Sequence, residues 1–435
     1  MRKEMNLQME TLIELFDESP VLNILACVAF KPKKLIFFGA NPNEIEQNKN
    51  DYIRFFKRRK EKVDIEFITV NMLNLREVET GLEKIIKDNP DCVLDVTGGK
   101  DLALLAAGMA AVRLGVPLVF YNKKTEKYVN MNKYCCEMDV DIYGLLNCQD
   151  FFCVSGGSIT DFEDFSEYND TRREFWQLVL NIWDIYLKHM GSWPSHVQYL
   201  QKATHNFSQG SDSRIKCPAI LNSNGHKFYR NDDIINDLRS CGAFKDFEKC
   251  ENNDFYFTYK DSNFKRYLTD VGAFLELYIH VCALQTRCFS DVLSRVKYNW
   301  DWEYANYSKQ LHNTLFRPAS NEIDVIAVRG IEPLYISCKT SSPEMKYIDE
   351  IYPQAMRMSG GEGHAVFACT HTIDKEMPIY NKAKALGVYI IDGEDIKNGL
   401  VIERLRQMAE KRYIWKDEPG YQELINRSAL TVRIE

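Results

Sequence analysis

The sequence predicts an α/β protein: two sheet-bearing parts with a small module between them. Three observations predict it. Residues 1–160 alternate apolar strand-like runs with helical runs, the pattern of a parallel sheet with crossover helices. From Ser208 to Asp270 the composition turns polar, with only short helical pieces such as Asp232 to Cys241. From Leu268 onward an apolar helix, two antiparallel strands, a helix and two further strands succeed one another, which suits a second sheet packed by helices.

In the first part, Met9 to Phe16 reads as a strand and Pro20 to Phe30 as a helix. Lys34 to Gly39 and Val63 to Val70 are the next strands, with helices over Glu44 to Arg59 and Arg76 to Lys87. Cys92 to Thr97 is a fourth strand, Leu102 to Arg113 its helix, and Pro117 to Tyr121 a fifth strand. The alternation predicts a Rossmann-like, mostly parallel sheet. Such sheets bind ligands beyond the carboxyl ends of their strands. Three loops fall there: Asp17-Glu18-Ser19-Pro20, Gly39-Ala40-Asn41-Pro42 and Thr97-Gly98-Gly99-Lys100.

The third of these loops joins an apolar strand to a strongly helical run through a glycine pair. Glycines let the backbone approach a ligand, and the helix start offers free N–H groups and partial positive charge. Lys100 beside them favours an anion. The loop matches neither GxxxxGK[ST] nor GxGxxG, so the common nucleotide fingerprints do not apply. A tight turn that only connects strand to helix is the plainer reading.

Ser155-Gly156-Gly157-Ser158 reads as a boundary. A long helix follows, Arg172 to Met190, carrying Trp176 and Trp183 on one side. Residues 161–265 are expected to form this connecting helix and a winged-helix-like module, and residues 266–435 the last domain. That domain opens with Gly272-Ala273-Phe274-Leu275-Glu276-Leu277-Tyr278, in which Glu276 is a single acid among apolar residues. It suits either a helix surface or a place beside a metal. Val296, Tyr298, Trp300, Trp302 and Tyr304 alternate with polar residues and define an apolar strand face, better suited to core than to stacking bases. A helix (Glu344 to Met358), the loop Ser359-Gly360-Gly361-Glu362-Gly363, strands Ala365 to Ala368 and Val388 to Ile391, and a helix Asp395 to Lys411 complete the chain. This order matches the core of restriction-endonuclease-like folds.

Two strands of that domain carry its chemistry, Asn321-Glu322-Ile323-Asp324-Val325-Ile326 and Leu334-Tyr335-Ile336-Ser337-Cys338-Lys339. Strand side chains alternate faces, so Glu322 projects with Asp324 and Ser337 with Lys339. Antiparallel pairing through a turn at Arg329-Gly330 would gather the four polar groups. Carboxylates beside a lysine suit metal-assisted phosphodiester hydrolysis: the carboxylate binds Mg²⁺ or Mn²⁺ and the lysine neutralises developing charge. An ordinary hairpin with a charged solvent face is the alternative.

Composition narrows the field. A net charge of −7 over 435 residues argues against a generally basic nucleic-acid coat, so any such contact relies on local patches or metal ions. The run Lys57-Arg58-Arg59-Lys60 ends an amphipathic helix and reads as a solvated face. Thirteen cysteines form no CxxC pair, Cys135 and Cys136 are adjacent, and others lie in apolar segments. Reduced thiols in the cytoplasm fit this better than disulfides or zinc. No signal-peptide pattern and no membrane-length apolar stretch is present, so a soluble protein that spans no membrane is expected.

Together the motifs resemble a known family. Asp-x-Thr-Gly-Gly-Lys, Gly-x-Phe-Leu-Glu, Asn-Glu-Ile-Asp-Val, x-Cys-Lys-Thr and a Ser-Gly-Gly loop occur in the order seen in the CARF-plus-restriction-endonuclease, PD-(D/E)xK-type ancillary nucleases of type III CRISPR defence. The resemblance spans about residues 9–400 and is weakest in the middle. It implies a homodimer whose CARF domains, residues 1–160 here, bind a cyclic oligoadenylate, most often cyclic tetra-adenylate. It also implies that the ligand activates a metal-dependent nuclease acting on single-stranded RNA, DNA or both. Ser19, Pro20, Gly39, Asn41, Thr97, Gly98, Gly99 and Lys100 would hold the ligand. Asp324, Glu276 and the carbonyl of Cys338 would hold Mn²⁺ or Mg²⁺, Lys339 would be the catalytic lysine, and Glu322 and Ser337 would complete the site. Ser337 stands where the family carries glutamate, and a hydroxyl is a poorer ligand for a hard cation. Either Glu276 or Glu322 compensates, or the site binds metal weakly and the chain is a sensor. A ring nuclease that degrades its own activator is a further rival. A transcription regulator fits less well, because the middle segment is neither basic nor clearly helix-turn-helix.

Overall fold

Five apolar segments of the N-terminal third pair in parallel: β1 (Thr11–Leu15), β2 (Lys34–Ala40), β3 (Asp64–Thr69), β4 (Cys92–Asp95) and β5 (Leu118–Asn122). The computed structural model describes residues 9–131, 136–166, 170–207, 214–302 and 321–431. Two antiparallel strands, β6 (Lys127–Asn130) and β7 (Cys136–Glu137), extend the sheet, whose order is β3-β2-β1-β4-β5-β6-β7. β1, β2 and β4 are buried almost throughout, as central strands covered by helices on both faces should be. The expected Rossmann-like sheet is present. Its strand order reverses between β1 and β4, so the loops after those strands splay apart there and leave a crevice.

The chain leaves this sheet at Gly156-Gly157, and β8 (Ser158–Glu163) pairs with a strand of the second sheet. The helices Asp170–Lys188 and Trp193–Phe207 follow. Next come β9 (Ile215–Cys217), the hairpin β10 (Ile220–Ser223) with β11 (His226–Tyr229), the helix Asp232–Ser240, β12 (Phe244–Lys249) and β13 (Phe255–Tyr259). β9, β13 and β12 form a small antiparallel sheet.

The second sheet has the order β18-β17-β16-β15-β14-β8, with β14 (Asp291–Asn299), β15 (Asn321–Val328), β16 (Leu334–Lys339), β17 (His364–Cys369) and β18 (Tyr389–Ile391). β14, β15 and β16 pair antiparallel, whereas β16, β17 and β18 run parallel. The apolar helix Ala273–Thr286 packs on this sheet. One apolar cluster joins the two sheets, running from Leu12, Phe37 and Tyr52 through Phe152 to Tyr298, Tyr335 and Phe367. Phe152 meets Tyr298 edge-on at 5.0 Å.

Three expectations change. The strand expected from Val296 to Tyr304 ends at Asn299. Trp302 lies beyond it, donating its indole N–H to Asp51 under the Arg54 guanidinium, and Tyr304 is outside the described residues. The helix expected from Asp395 to Lys411 is two, Gly393–Lys397 and Val401–Ala409, parted at Gly399, whose φ of +65° ends the first. In the basic run, Arg58 and Arg59 do not face solvent freely. Both bind Asp150, which is 1% exposed, and Arg59 also donates to the Leu145 carbonyl. A buried carboxylate needs such partners.

Candidate functional site

The crevice between β1 and β4 is organised by Asp17. One carboxylate oxygen accepts from the Gly99 N–H and the other from the Ser19 N–H, both at 2.8 Å. The Asp17 backbone is tied in turn to the Asn23 side chain. The glycines follow from this close approach. A Cβ on Gly98 would lie 2.8 Å from that of Asp17, and one on Gly99 would lie 2.7 Å from that of Leu15. Gly99 also has φ +110°, a conformation few side chains tolerate.

Of the residues expected to hold a ligand, Ser19 and Pro20 lie on the β1 loop, and Thr97, Gly98, Gly99 and Lys100 lie on the β4 loop. Ser19 is buried and its hydroxyl has no hydrogen-bond partner among the described residues. Lys100 precedes the helix Asp101–Leu114 and pairs with Glu44 at 2.5 Å. Burial raises the Glu44 carboxyl, but Lys100 and the Asn41 N–H together hold it below its usual range. Asn41 caps the helix Pro42–Arg58 in a reciprocal box with Glu44, and Gly39, one residue before the end of β2, has φ +97°. Thr97 is engaged internally: its hydroxyl donates to Asp95 and accepts from the Tyr121 N–H. Asp17 carries the geometry here although sequence reasoning singled out Ser19 and Pro20 from the same loop.

The second cluster lies on β15 and β16. Asp324 accepts from the Cys338 N–H at 2.6 Å, the Lys339 ammonium at 3.3 Å and the Ser337 hydroxyl at 3.4 Å, all through one oxygen. The Lys339 ammonium also lies 5.9 Å from the Tyr347 ring centre. Glu276 approaches from the first turn of the helix Ala273–Thr286. Burial, then the charge of Asp324, pushes its carboxyl up to about 8, against the opposing pull of Arg295. Thus Asp324, Ser337, Cys338, Lys339 and Glu276 gather. Glu322 stands apart, exposed and in register with Lys297, and reaches Glu276 only through its charge. Arg295, whose guanidinium lies 3.6 Å from Glu276, was not foreseen.

One Glu276 oxygen is buried with no hydrogen-bond partner among the described residues. When ionised, it and Asp324 are like charges that a cation between them would relieve, which favours the charged form of Glu276. Two carboxylates and the Cys338 carbonyl fit a hard divalent cation that keeps several waters. No group of three His, Cys, Asp or Glu with metal-ligand spacing occurs among the described residues.

No protein-family model matches the sequence, and no curated protein matches it. Solved structures do. Protein VC1899 from Vibrio cholerae superposes with a TM-score of 0.70, 14% identity, and coverage of 93% of this chain and 99% of that one. Can2 from Sulfobacillus thermosulfidooxidans, solved in complex with cyclic tetra-adenylate, superposes with a TM-score of 0.62. Its identity is also 14%, and coverage is 92% of this chain and 98% of Can2. The chain shares the fold of both. The shared fold extends over nearly the full length of each. No helix among the described residues is long and apolar enough to cross a membrane.

Proposed function

We propose that this chain is a metal-dependent endonuclease of type III CRISPR defence that cleaves single-stranded RNA, DNA or both when a cyclic oligoadenylate binds. The observation that carries this reading is the convergence of Asp324, Lys339 and Glu276 on a second sheet, in a chain whose first sheet opens a crevice between β1 and β4. Can2, of the same fold, was solved with cyclic tetra-adenylate, and that ligand is the proposed activator. Its phosphates would meet Lys100 and the backbone of Gly98 and Gly99, with Ser19 and Asn41 on the facing loops.

Asp324 and Glu276 would hold Mn²⁺ or Mg²⁺, with the Cys338 carbonyl. When bound, the metal polarises the phosphate and lowers the pKa of water. Lys339, fixed by Asp324, places its positive charge where the phosphate gains negative charge. Ser337 adds a hydroxyl that orients Asp324 rather than a third carboxylate.

The working unit is proposed to be a homodimer. The helix Asp101–Leu114 starts at the crevice and exposes Leu105, Met109 and Val112, the last 90% exposed. Pairing of two such faces would cover them and bring two crevices together around one cyclic ligand. The helix Asp232–Ser240 begins with Asp232-Asp233, which disfavours a DNA-reading role for the middle module.

The test is cleavage of fluorescent single-stranded RNA and DNA with Mn²⁺, with and without cyclic tetra- or hexa-adenylate. Cleavage that requires one of the cyclic ligands is expected. Ligand binding without cleavage would favour the rival reading that Ser337 raises, a sensor without catalysis.

A further inference from the structure

Arg295 lies on β14 between Ser294 and Val296, whose partners Val325 and Ile323 flank Asp324 on β15. Its backbone has φ +50°, a left-handed conformation that costs a non-glycine residue on the order of 1 kcal/mol, and the register between β14 and β8 shifts at this point. The side chain reaches two carboxylates from distant parts of the chain. Nη1 is 3.6 Å from Glu276 and Nε is 3.5 Å from Glu163. The Glu276 contact is an ion pair without a hydrogen bond, for the facing Glu276 oxygen has no hydrogen-bond partner among the described residues. Glu163 is better supplied, taking Arg266 at 2.5 Å and the Tyr267 hydroxyl.

Two carboxylates, Asp324 and Glu276, therefore face two cations, Lys339 and Arg295. A divalent cation entering between the carboxylates adds charge that one resident cation must yield to. Lys339 is hydrogen-bonded to Asp324, whereas Arg295 is held loosely and has a second acceptor beside it.

We infer that Arg295 is a built-in counter-ion of Glu276 that a divalent cation displaces toward Glu163, making it a positioning residue that sets metal affinity. The inference rests on the reading of Asp324 and Glu276 as metal ligands. Strain at Arg295 fits this role, since a kinked strand residue can face either side.

The test is isothermal titration of the full chain with Mn²⁺, without nucleic acid, for Arg295→Asn, Arg295→Lys and Glu163→Gln. Asparagine tolerates left-handed backbone. Arg295→Asn should tighten Mn²⁺ binding on the order of tenfold. Arg295→Lys should stay near the parent, and Glu163→Gln should weaken binding by leaving Arg295 on Glu276. A purely structural arginine would give weaker binding in all three. Parent-like or weaker binding in Arg295→Asn, with Mn²⁺ bound by the parent, overturns the counter-ion role alone. No Mn²⁺ binding to any of the four proteins overturns the metal centre itself.

Discussion

Gly360 sits against Pro20: a Cβ on Gly360 would lie 2.5 Å from Pro20 Cδ and 3.2 Å from Ser19 Oγ. Gly360 ends the helix Met345–Ser359 with φ +62°, and Ser155 on the inter-sheet connection donates to the Met358 carbonyl of the same helix. The first turns of that helix carry Tyr347, whose ring lies near Lys339. A cleft of about 540 Å³ runs along this contact, lined by Asp17, Ser19, Asp51, Arg357 and Gly361. The proposed ligand loop and the proposed catalytic lysine thus touch opposite ends of one helix. Interfaces of this kind pass on small shifts when the packed element has two arrangements.

Gly360→Ala is expected to uncouple the two ends. The left-handed backbone costs alanine about 1 kcal/mol, and Pro20 must also move. Activator-dependent cleavage should fall on the order of tenfold or more while binding of cyclic tetra-adenylate changes little. Parallel cleavage assays and fluorescence-anisotropy titrations with labelled ligand check this. Equal loss in both would place the defect in the ligand site instead.

Lys100→Ala should weaken binding of the cyclic ligand by about tenfold, the size of one charge-assisted contact. Glu44→Gln works the other way, because it frees Lys100 from its 2.5 Å partner, and should tighten binding severalfold. Calorimetric titrations at two salt concentrations would record both effects, and the Glu44→Gln gain should shrink as salt rises.

Asp324→Asn and Lys339→Ala should each lower cleavage by at least about 100-fold without loss of activator binding. Ser337→Glu supplies the carboxylate missing from this strand and should raise cleavage at low Mn²⁺. Initial rates across a Mn²⁺ series distinguish the three, and a Ser337→Glu variant with no better metal dependence would mean that Glu276 already fills that place.

Stability should fall as pH rises from about 4 to neutrality. Glu14 and Asp95 are neighbours on β1 and β4, and both are fully buried. Burial pushes the Asp95 carboxyl from 3.8 up to about 7, and burial and then the charge of Asp95 raise Glu14 well above its usual range. The folded state therefore keeps protons that the unfolded chain releases near pH 4, and the stability this confers is lost as pH climbs toward 7 and beyond. For Asp95 the change corresponds to at most roughly 4 kcal/mol. Glu14→Gln should raise the melting temperature at pH 8 more than at pH 5. Thermal unfolding monitored by circular dichroism at both pH values checks the sign.

How much of this was legible in the sequence varies with the range of the interactions involved. β1, β2 and β4 were readable because strands buried on both faces are written as continuous apolar runs. Asp324 and Lys339 were readable because the two-residue period of a strand places their side chains without knowledge of the rest. β8 was not: Ser158–Glu163 is an edge strand, largely open to solvent, and has no apolar alternation to mark it. Asp150 hid the true role of Arg58 and Arg59 for a related reason, since the ion pairs span more than 90 residues. Arg295 was illegible because Glu163 and Glu276, which define its place, come from other elements.

Whether a ligand of the first sheet switches on chemistry at Asp324 and Lys339 can be decided by one comparison. The parent chain and Lys339→Ala are assayed on labelled single-stranded RNA and DNA with Mn²⁺, with and without cyclic tetra-adenylate. Cleavage is expected only from the parent and only with the cyclic ligand, while both proteins bind that ligand equally. Ligand-independent cleavage, or cleavage that survives in Lys339→Ala, would contradict this.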